Sequence, residues 1–337
     1  MTRLRTPLAI LALATVVAVG AGFATSKTSQ SSASVSVGGA LQNAFVNVYK
    51  KVSPSVVQIQ TSEGLGSGIV LDGKGDIVTN AHVVGTSTTF TVTTSTGKQL
   101  QGKLVGTFAP DDLAVIRVTA ASGLKPAAFA NSDAVRVGDI AMAIGNPLGL
   151  SSSVTEGIVS GLNRQEPEGG NVVLQSAIQT SADINPGNSG GALVNIDGQV
   201  IGIPTLAATD PQLGGAAAGI GFAIPSNSIK SIAGQLVQSG KVTNSGRAYL
   251  GVESADTGAG NGAYVGKVLA GTAAAKAGIV AGDLITAVNG SAVTGSSDLS
   301  TVLAGLKPGQ TVSVKVLKQS GTSSTLQVTL GQFPGGG

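Results

Sequence analysis

The 337-residue chain contains no cysteine, which excludes disulfides, iron–sulfur clusters and thiolate zinc sites. It has a single histidine, His82, so a metal centre built from several histidines is excluded as well. Aromatic residues make up only 3% of the chain and charged residues 11%, and no basic stripe interleaved with aromatics occurs. The net charge is +3, and with Arg3 and Arg5 set aside the basic and acidic residues nearly balance. That is no footprint for nucleic acid. The lack of cysteine does not by itself mark a reducing compartment. What is abundant is glycine, with 50 residues, together with Ala, Ser, Thr and Val. Such a composition favours short strands and turns over long charged helices, so the expected fold is mostly β. The length calls for two or three domains.

Residues 1–36 read as a targeting segment. Arg3 and Arg5 precede an uncharged run from Pro7 to Ala24, and a Ser/Thr-rich spacer follows from Thr25 to Ser36. Positive flank, apolar segment and polar spacer together form an export signal, with Gly22 and Ala24 as small residues for cleavage after Ala24. The run is also just long enough to span a bilayer as an uncleaved single-pass anchor. In either case the positive-inside bias places the rest outside the cytoplasm, at the cell membrane or secreted.

Residues 37–240 form the expected main domain. Val37–Val52 carries Leu41, Phe45, Val48 and Tyr49 at helical spacing and ends before Pro54. Six short apolar or alternating runs lie between Val56 and Val118, and six more between Asp139 and Ala223. Separated by Gly, Asn, Asp and Pro without intervening helices, they predict two antiparallel six-stranded barrels. Asn227–Gly240 then places Ile229, Ile232, Leu236 and Val237 on one helical face, with Gly240 at the C-cap. Lys241–Gly246 is a short polar linker. Residues 247–332 form a smaller unit, with five strands and helices near Ala273–Ala277 and Ser297–Leu306.

The strongest chemical signal is Gly187-Asn188-Ser189-Gly190-Gly191, after Asn185-Pro186. A serine hydroxyl attacks only when a base takes its proton and the developing oxyanion is stabilised. Flanking glycines let the chain turn tightly enough for the amides of Gly187 and Ser189 to aim at one point, as an oxyanion hole requires. The base must be His82, in Thr79-Asn80-Ala81-His82-Val83-Val84. Asp112 is the expected orienting carboxylate, in Pro110-Asp111-Asp112-Leu113, because it abuts an apolar strand; Asp111 is its rival. The chain order His, Asp, Ser is that of chymotrypsin rather than of subtilisin or the α/β-hydrolases. Gly64-Leu65-Gly66-Ser67-Gly68 superficially suggests a phosphate loop, but it leads into another strand and is expected to be a tight turn between barrel strands. No cofactor is expected.

The motifs TNAHVV, DLAVIRV and NPGNSGGALVN, with GLGSGIV at Gly64–Val70 and GIGFAIPSN at Gly219–Asn227, resemble the HtrA/Deg family of trypsin-like proteases from about Val52 to the end of the chain. The resemblance implies a trypsin-like double barrel followed by a PDZ domain. It further implies ATP-independent cleavage of unfolded or partly folded proteins in the cell envelope, and assembly into trimers or multiples of trimers. By the same resemblance, Ile203–Ala207 pairs with the substrate strand, Thr205 also bonds Asp112, and Leu206, Ala207 and Gly219–Phe222, including Ile220, line the specificity pocket. Arg164–Asn171 is expected to be a mobile regulatory surface loop.

Tyr249-Leu250-Gly251-Val252 resembles the loop with which PDZ domains hold a peptide carboxylate, with Arg247 adding charge and Ser297–Leu306 forming the other wall. The chain departs from the family at Asp183, six residues before Ser189, where the family usually has a small uncharged residue. Trypsin's pocket-base aspartate occupies the same spacing. Asp183 therefore either faces the pocket and favours Lys or Arg, or points to solvent and leaves a preference for Val, Ala or Leu. The competing functional readings are a regulatory protease that cuts one membrane partner and a non-catalytic chaperone or adaptor; the intact triad motifs argue against the latter.

Overall fold

A computed structural model of the chain describes residues 37–334 except 63, 120, 122, 147–152, 170–171, 186, 210–215 and 259. Residues 1–36, expected to be a targeting segment, lie outside the described residues. Period-two alternation sets the strands of the main domain. The first six are β1 (Val56–Gln60), β2 (Leu65–Val70), β3 (Asp76–Thr79), β4 (Thr89–Thr93), β5 (Gln99–Phe108) and β6 (Leu113–Val118). They close a barrel in the order β1-β2-β3-β6-β5-β4. A second barrel, in the order β10-β11-β12-β9-β8-β7, is built from β7 (Ile140–Gly145), β8 (Ser153–Gly169), β9 (Val172–Thr180), β10 (Ala192–Val194), β11 (Val200–Thr209) and β12 (Ala216–Pro225).

Alternation also divides the core. Val57, Ile59, Ile77, Phe90, Val92 and Ile116 fill the first barrel, and Ala143, Val159, Ile178, Leu193 and Ile201 fill the second. Val56, Ile69, Val115, Ile144 and Ile203 belong instead to a shared core that joins the barrels. Two helices seal that core. Helix α1 (Val37–Val52) contributes Val48 and Val52, while its Leu41 stays exposed. Helix α3 (Ser226–Ser239) buries Ile229, Ile232, Ala233 and Leu236 and ends at Gly240, whose φ of +69° makes the left-handed cap. Between them, α2 (Ala81–Val84) is one turn long and carries His82.

Two sequence expectations are corrected here. The Gly64–Gly68 stretch is not a turn: Leu65–Val70 is a strand, and its glycines serve close packing inside the barrel. A Cβ on Gly68 would stand 2.7 Å from both Ile59 Cδ1 and Ile77 Cγ2. Arg164 likewise lies within β8, whose pairing with β9 continues to Gly169 through several register shifts, and its Nε donates to Gln179 Oε1 at 3.0 Å. Gly170 and Asn171 fall outside the described residues.

The linker is anchored rather than free. Gln235 Oε1 accepts from the amides of Thr243 and Asn244, and Val242 is buried in the shared core. The second unit contains β13 (Ala248–Tyr249), β14 (Val252–Asp256), β15 (Ala263–Val268), α4 (Ala273–Lys276), β16 (Leu284–Val288), β17 (Ser291–Ala292), α5 (Ser296–Ala304), β18 (Thr311–Leu317), β19 (Ser323–Thr329) and β20 (Gly331–Gln332). One sheet runs β14-β15-β16-β18-β19, and β13 pairs separately with β20.

Gly68→Val should lower stability by about 1–3 kcal/mol through overpacking. An unchanged denaturant midpoint would show that the first barrel has room which the packing of Ile59 and Ile77 denies.

Candidate active site

The site lies where the barrels meet, and it is assembled around Asp112. Three residues of 3₁₀ turn (Ala109–Asp111) deliver the chain to Asp112, which has left-handed backbone angles of φ 48° and ψ 43°. Its carbonyl accepts from the Ala81 amide at 3.0 Å and from Asn80 Nδ2 at 3.1 Å. Its carboxylate accepts from the His82 amide and stands 2.9 Å from His82 Nδ1. From the second barrel, Thr205 Oγ1 donates to the same carboxylate at 2.6 Å. Asp112 is 4% exposed. Burial pushes its carboxyl upward, but the His82 ring, the Thr205 hydroxyl and the His82 amide together outweigh burial and hold it below the ordinary carboxylate range. A carboxylate kept ionised beside Nδ1 fixes the imidazole with its Nε2 available to accept a proton.

Asp111, one residue earlier, turns the other way. Its carboxylate pairs with the Arg247 guanidinium, whose Nη2 also donates to the Val173 carbonyl at 2.9 Å. Burial pushes the Asp111 carboxyl up against the pull of Arg247. Asp112, not Asp111, is thus the histidine's partner. Arg247 is committed to Asp111 rather than being a spare charge beside the peptide loop.

Ser189 sits in the loop before β10. Its hydroxyl donates to the Thr205 carbonyl at 3.2 Å, so Thr205 touches both the serine and Asp112. Most of the loop's amides are spoken for: Asn188 N bonds Asn185 O, Gly190 N bonds Pro204 O, and Gly191 N bonds Asn188 O. Among the described residues, the amides of Gly187 and Ser189 have no acceptor, leaving two donors for an oxyanion. Gly190 has a φ of +79°, and a Cβ there would stand 2.1 Å from the Ser67 carbonyl, so no other residue fits. Ser67 and Asn146 border this loop, Asn80 holds the Asp112 turn, and none of the three was singled out by the sequence. Their signal was present in the glycines flanking Ser67 and in the TNAH motif, but neither feature names a hydrogen-bond partner.

The expected pocket residues fall on two paired strands. Leu206 faces Phe222 and Ala207 faces Gly221 in the β11–β12 register. Ile220 is exposed and Gly219 half-buried. Asp183 is exposed, with its carbonyl bonded by Thr155 Oγ1 at 2.7 Å, whereas the next residue, Ile184, is buried against Gly221.

A groove of about 440 Å³ runs along the second unit. Tyr249–Ser254 line one side, Leu299, Ser300, Leu303 and Ala304 of α5 the other, and Ala109, Pro110 and Arg247 close one end. The Leu250 and Gly251 carbonyls are taken by the amides of Ala274 (2.8 Å) and Leu269 (3.0 Å). In a trans peptide the following N–H points opposite to the carbonyl, so the amides of Gly251 and Val252 are directed away from those partners.

A trypsin-like peptidase domain model matches residues 66–203, and a PDZ domain model matches 248–330. The periplasmic pH-dependent serine endoprotease DegQ of Escherichia coli is 40% identical over 284 residues, covering 80% of this chain and 60% of DegQ. The serine protease PepD of Mycobacterium tuberculosis is 41% identical over 307 residues, covering 85% and 65%. The chain spans about three fifths of the length of the curated relatives it matches. Among solved structures, the HtrA-type protease AlgW with tripeptide has a TM-score of 0.59 at 32% identity, covering 86% of this chain and 97% of that one. The serine endoprotease from Yersinia pestis has a TM-score of 0.58 at 32% identity, covering 86% and 98%.

Because its folded Asp112 titrates below the unfolded value, the protein should lose stability on acidification from about pH 4 downward, as the unfolded carboxyl takes up its proton first. Asp112→Asn removes that part of the slope. Urea midpoints of both proteins between about pH 5 and about pH 2 should converge as the pH falls, and parallel curves would contradict the depressed carboxyl.

Proposed function

The chain belongs to the HtrA family of trypsin-like serine proteases, and from that membership we propose that it is an extracytoplasmic serine endopeptidase that cleaves unfolded or misfolded proteins. The observation that carries this reading is the convergence of Asp112 and Ser189 on Thr205, with His82 held on Asp112, beside two amides that have no acceptor among the described residues. In the proposed cycle the Ser189 hydroxyl turns from the Thr205 carbonyl to the imidazole and gives up its proton as Oγ attacks the scissile carbonyl. The amides of Gly187 and Ser189 hold the oxyanion. His82 then protonates the leaving amine, and a water repeats the sequence to release the acyl group. Asp112 stays ionised throughout and stabilises the imidazolium.

The buried Ile184 against Gly221 supports a pocket for small aliphatic side chains, shaped by Thr205, Leu206, Ala207, Gly219 and Ile220. The exposure of Asp183 argues against a basic-residue preference. The second domain is proposed to hold peptide C-termini, with the carboxylate on the Gly251 and Val252 amides and the peptide added beside β14. Assembly as a homotrimer or a multiple of trimers is proposed from the family membership alone. Export, with or without retention as a single-pass anchor, rests on the sequence of residues 1–36. Among the described residues no helix is long and apolar enough to cross a membrane.

Ser189→Ala should abolish cleavage of unfolded casein while leaving the unfolding midpoint unchanged; residual cleavage above a trace would refute the assignment of the nucleophile. The wild-type kcat/KM should fall along a single limb on acidification, since only the neutral imidazole accepts the serine proton. A flat profile from about pH 5 to about pH 9 would rule histidine out as the base. In the full-length Ser189→Ala protein, amidating an apolar C-terminal peptide should weaken its binding by more than about 1 kcal/mol. Equal affinity for acid and amide would refute carboxylate recognition.

A further inference from the structure

Ser67 is fully buried in β2, and it holds the nucleophile loop at two points. Its hydroxyl donates to the Gly187 carbonyl at 2.6 Å, and its amide donates to the Ser189 carbonyl at 3.0 Å. These are the carbonyls of the same two residues whose amides have no acceptor. The Ser67 hydroxyl also accepts from the Asn146 amide at 2.8 Å, so its one proton is committed to Gly187. The Ser67 carbonyl in turn accepts from Thr79 Oγ1 at 2.6 Å, three residues before His82. Ser67 therefore stands between the segment that carries the base and the loop that carries the nucleophile.

Resting on the reading of this site as a serine endopeptidase, we infer that Ser67 is a positioning residue that fixes the oxyanion hole. Gly187 has a φ of +106°, and a residue with a glycine's backbone freedom keeps its amide in the donating geometry only while its position is held, here through its carbonyl. The amide of Ser67 holds the Ser189 carbonyl whatever the side chain is. The Gly187 carbonyl, by contrast, is held by the hydroxyl. Without it the Gly187 carbonyl and the Asn146 amide are both left buried without a partner, and the peptide gains by rotating to find one. The Gly187 amide lies across the Cα, in the preceding peptide, so a backbone turn at Gly187 that follows loss of the carbonyl contact shifts it relative to the oxyanion, while His82 and Asp112 keep their own contacts. The loss is therefore specific to the transition state.

The test compares wild type, Ser67→Ala and Ser67→Cys on a fluorogenic peptide with Val at the cleavage position, alongside inhibition by the peptide boronate of the same sequence. Removing one oxyanion donor typically costs about 10²–10³ in rate. For Ser67→Ala we expect a fall in kcat of about 10–100-fold, as the loop is loosened rather than deleted. KM should stay within about threefold, boronate affinity should fall in step with kcat, and the acid limb of the pH profile should not move. Ser67→Cys, which keeps a weak donor of similar reach, should fall between the two and serves as the readout if Ser67→Ala does not fold. A folded variant with wild-type kcat would overturn the inference. So would a loss shared equally by KM and boronate binding, or a shifted acid limb, since either would place the effect on the pocket or on His82. Failure of the wild type itself to cleave any peptide would overturn the endopeptidase reading instead, a distinguishable result.

Discussion

The left-handed turn at Asp112 ties together three stretches of chain that are far apart in sequence. Its carbonyl binds the segment that follows β3, its carboxylate binds His82, and Thr205 reaches that carboxylate from the second barrel. The first two contacts depend on strand register. β3 pairs with β6 so that Thr79 faces Ala114 and Asp76 faces Arg117, and a bidentate ion pair between Asp76 and Arg117, with Nε–Oδ1 at 2.6 Å, fixes that register. A slip of one residue would turn every side chain of the strand to the opposite face. It would also move His82 off the carboxylate. The third contact depends on how the barrels dock, which the shared core of Val56, Ile69, Ile144 and Ile203 controls.

The same docking explains why the nucleophile loop is so rich in glycine. The loop is pressed between β2 of one barrel and β7 of the other, closely enough that a Cβ on Gly145 would stand 2.5 Å from the Gly187 carbonyl, and one on Gly191 2.4 Å from the Ile144 carbonyl. Backbone packed against backbone leaves few polar groups exposed, and each buried carbonyl must find a donor within the contact. Among the described residues, the amides of Gly187 and Ser189 remain without an acceptor. Preorganisation of the proposed site is thus a consequence of inter-barrel packing, and little of it is contributed by long polar side chains.

How much of this could be seen in the sequence depends on the range of the interaction. The strand runs, α1 and α3 were legible because burial alternates along them or repeats at helical spacing. β18, for example, shows burial alternating between Val312, Val314 and Val316 and their half-exposed or exposed neighbours. His82 and Ser189 were legible because few residue types can do their chemistry and the chain offers one histidine. The choice of Asp112 over Asp111 rested on its position at the head of an apolar strand, and the structure sets Asp112 beside His82; the job of Asp111 was not visible, since its partner is 136 residues away. Glycines at 64–68 suggested a turn because sequence does not reveal that Ile59 and Ile77 meet over Gly68. Ser67 stayed unnoticed for a related reason: a serine inside a strand is ordinary until the carbonyls opposite it are known.

Adjacent acids at 111 and 112 also connect the two domains. Because the backbone reverses at Asp112, one carboxylate enters the proposed active site while the other enters the seam with the PDZ domain. Arg247 meets it there, just before the peptide loop. A buried ion pair of this kind adds little net stability, because desolvation offsets the attraction, yet removing one partner strands a charge. Its main effect is therefore to fix orientation. Aromatics, scarce elsewhere, are concentrated at the same seam: Phe333 packs edge-on against Tyr249 at 4.9 Å and against Phe108 at 6.2 Å. Phe108 ends β5 and leads into the turn Ala109–Asp111, whose Ala109 and Pro110 close the end of the peptide groove. The proposed peptide groove and the proposed catalytic aspartate therefore share one short, tightly held turn, so the seam that positions the PDZ domain bears on the same backbone that positions Asp112.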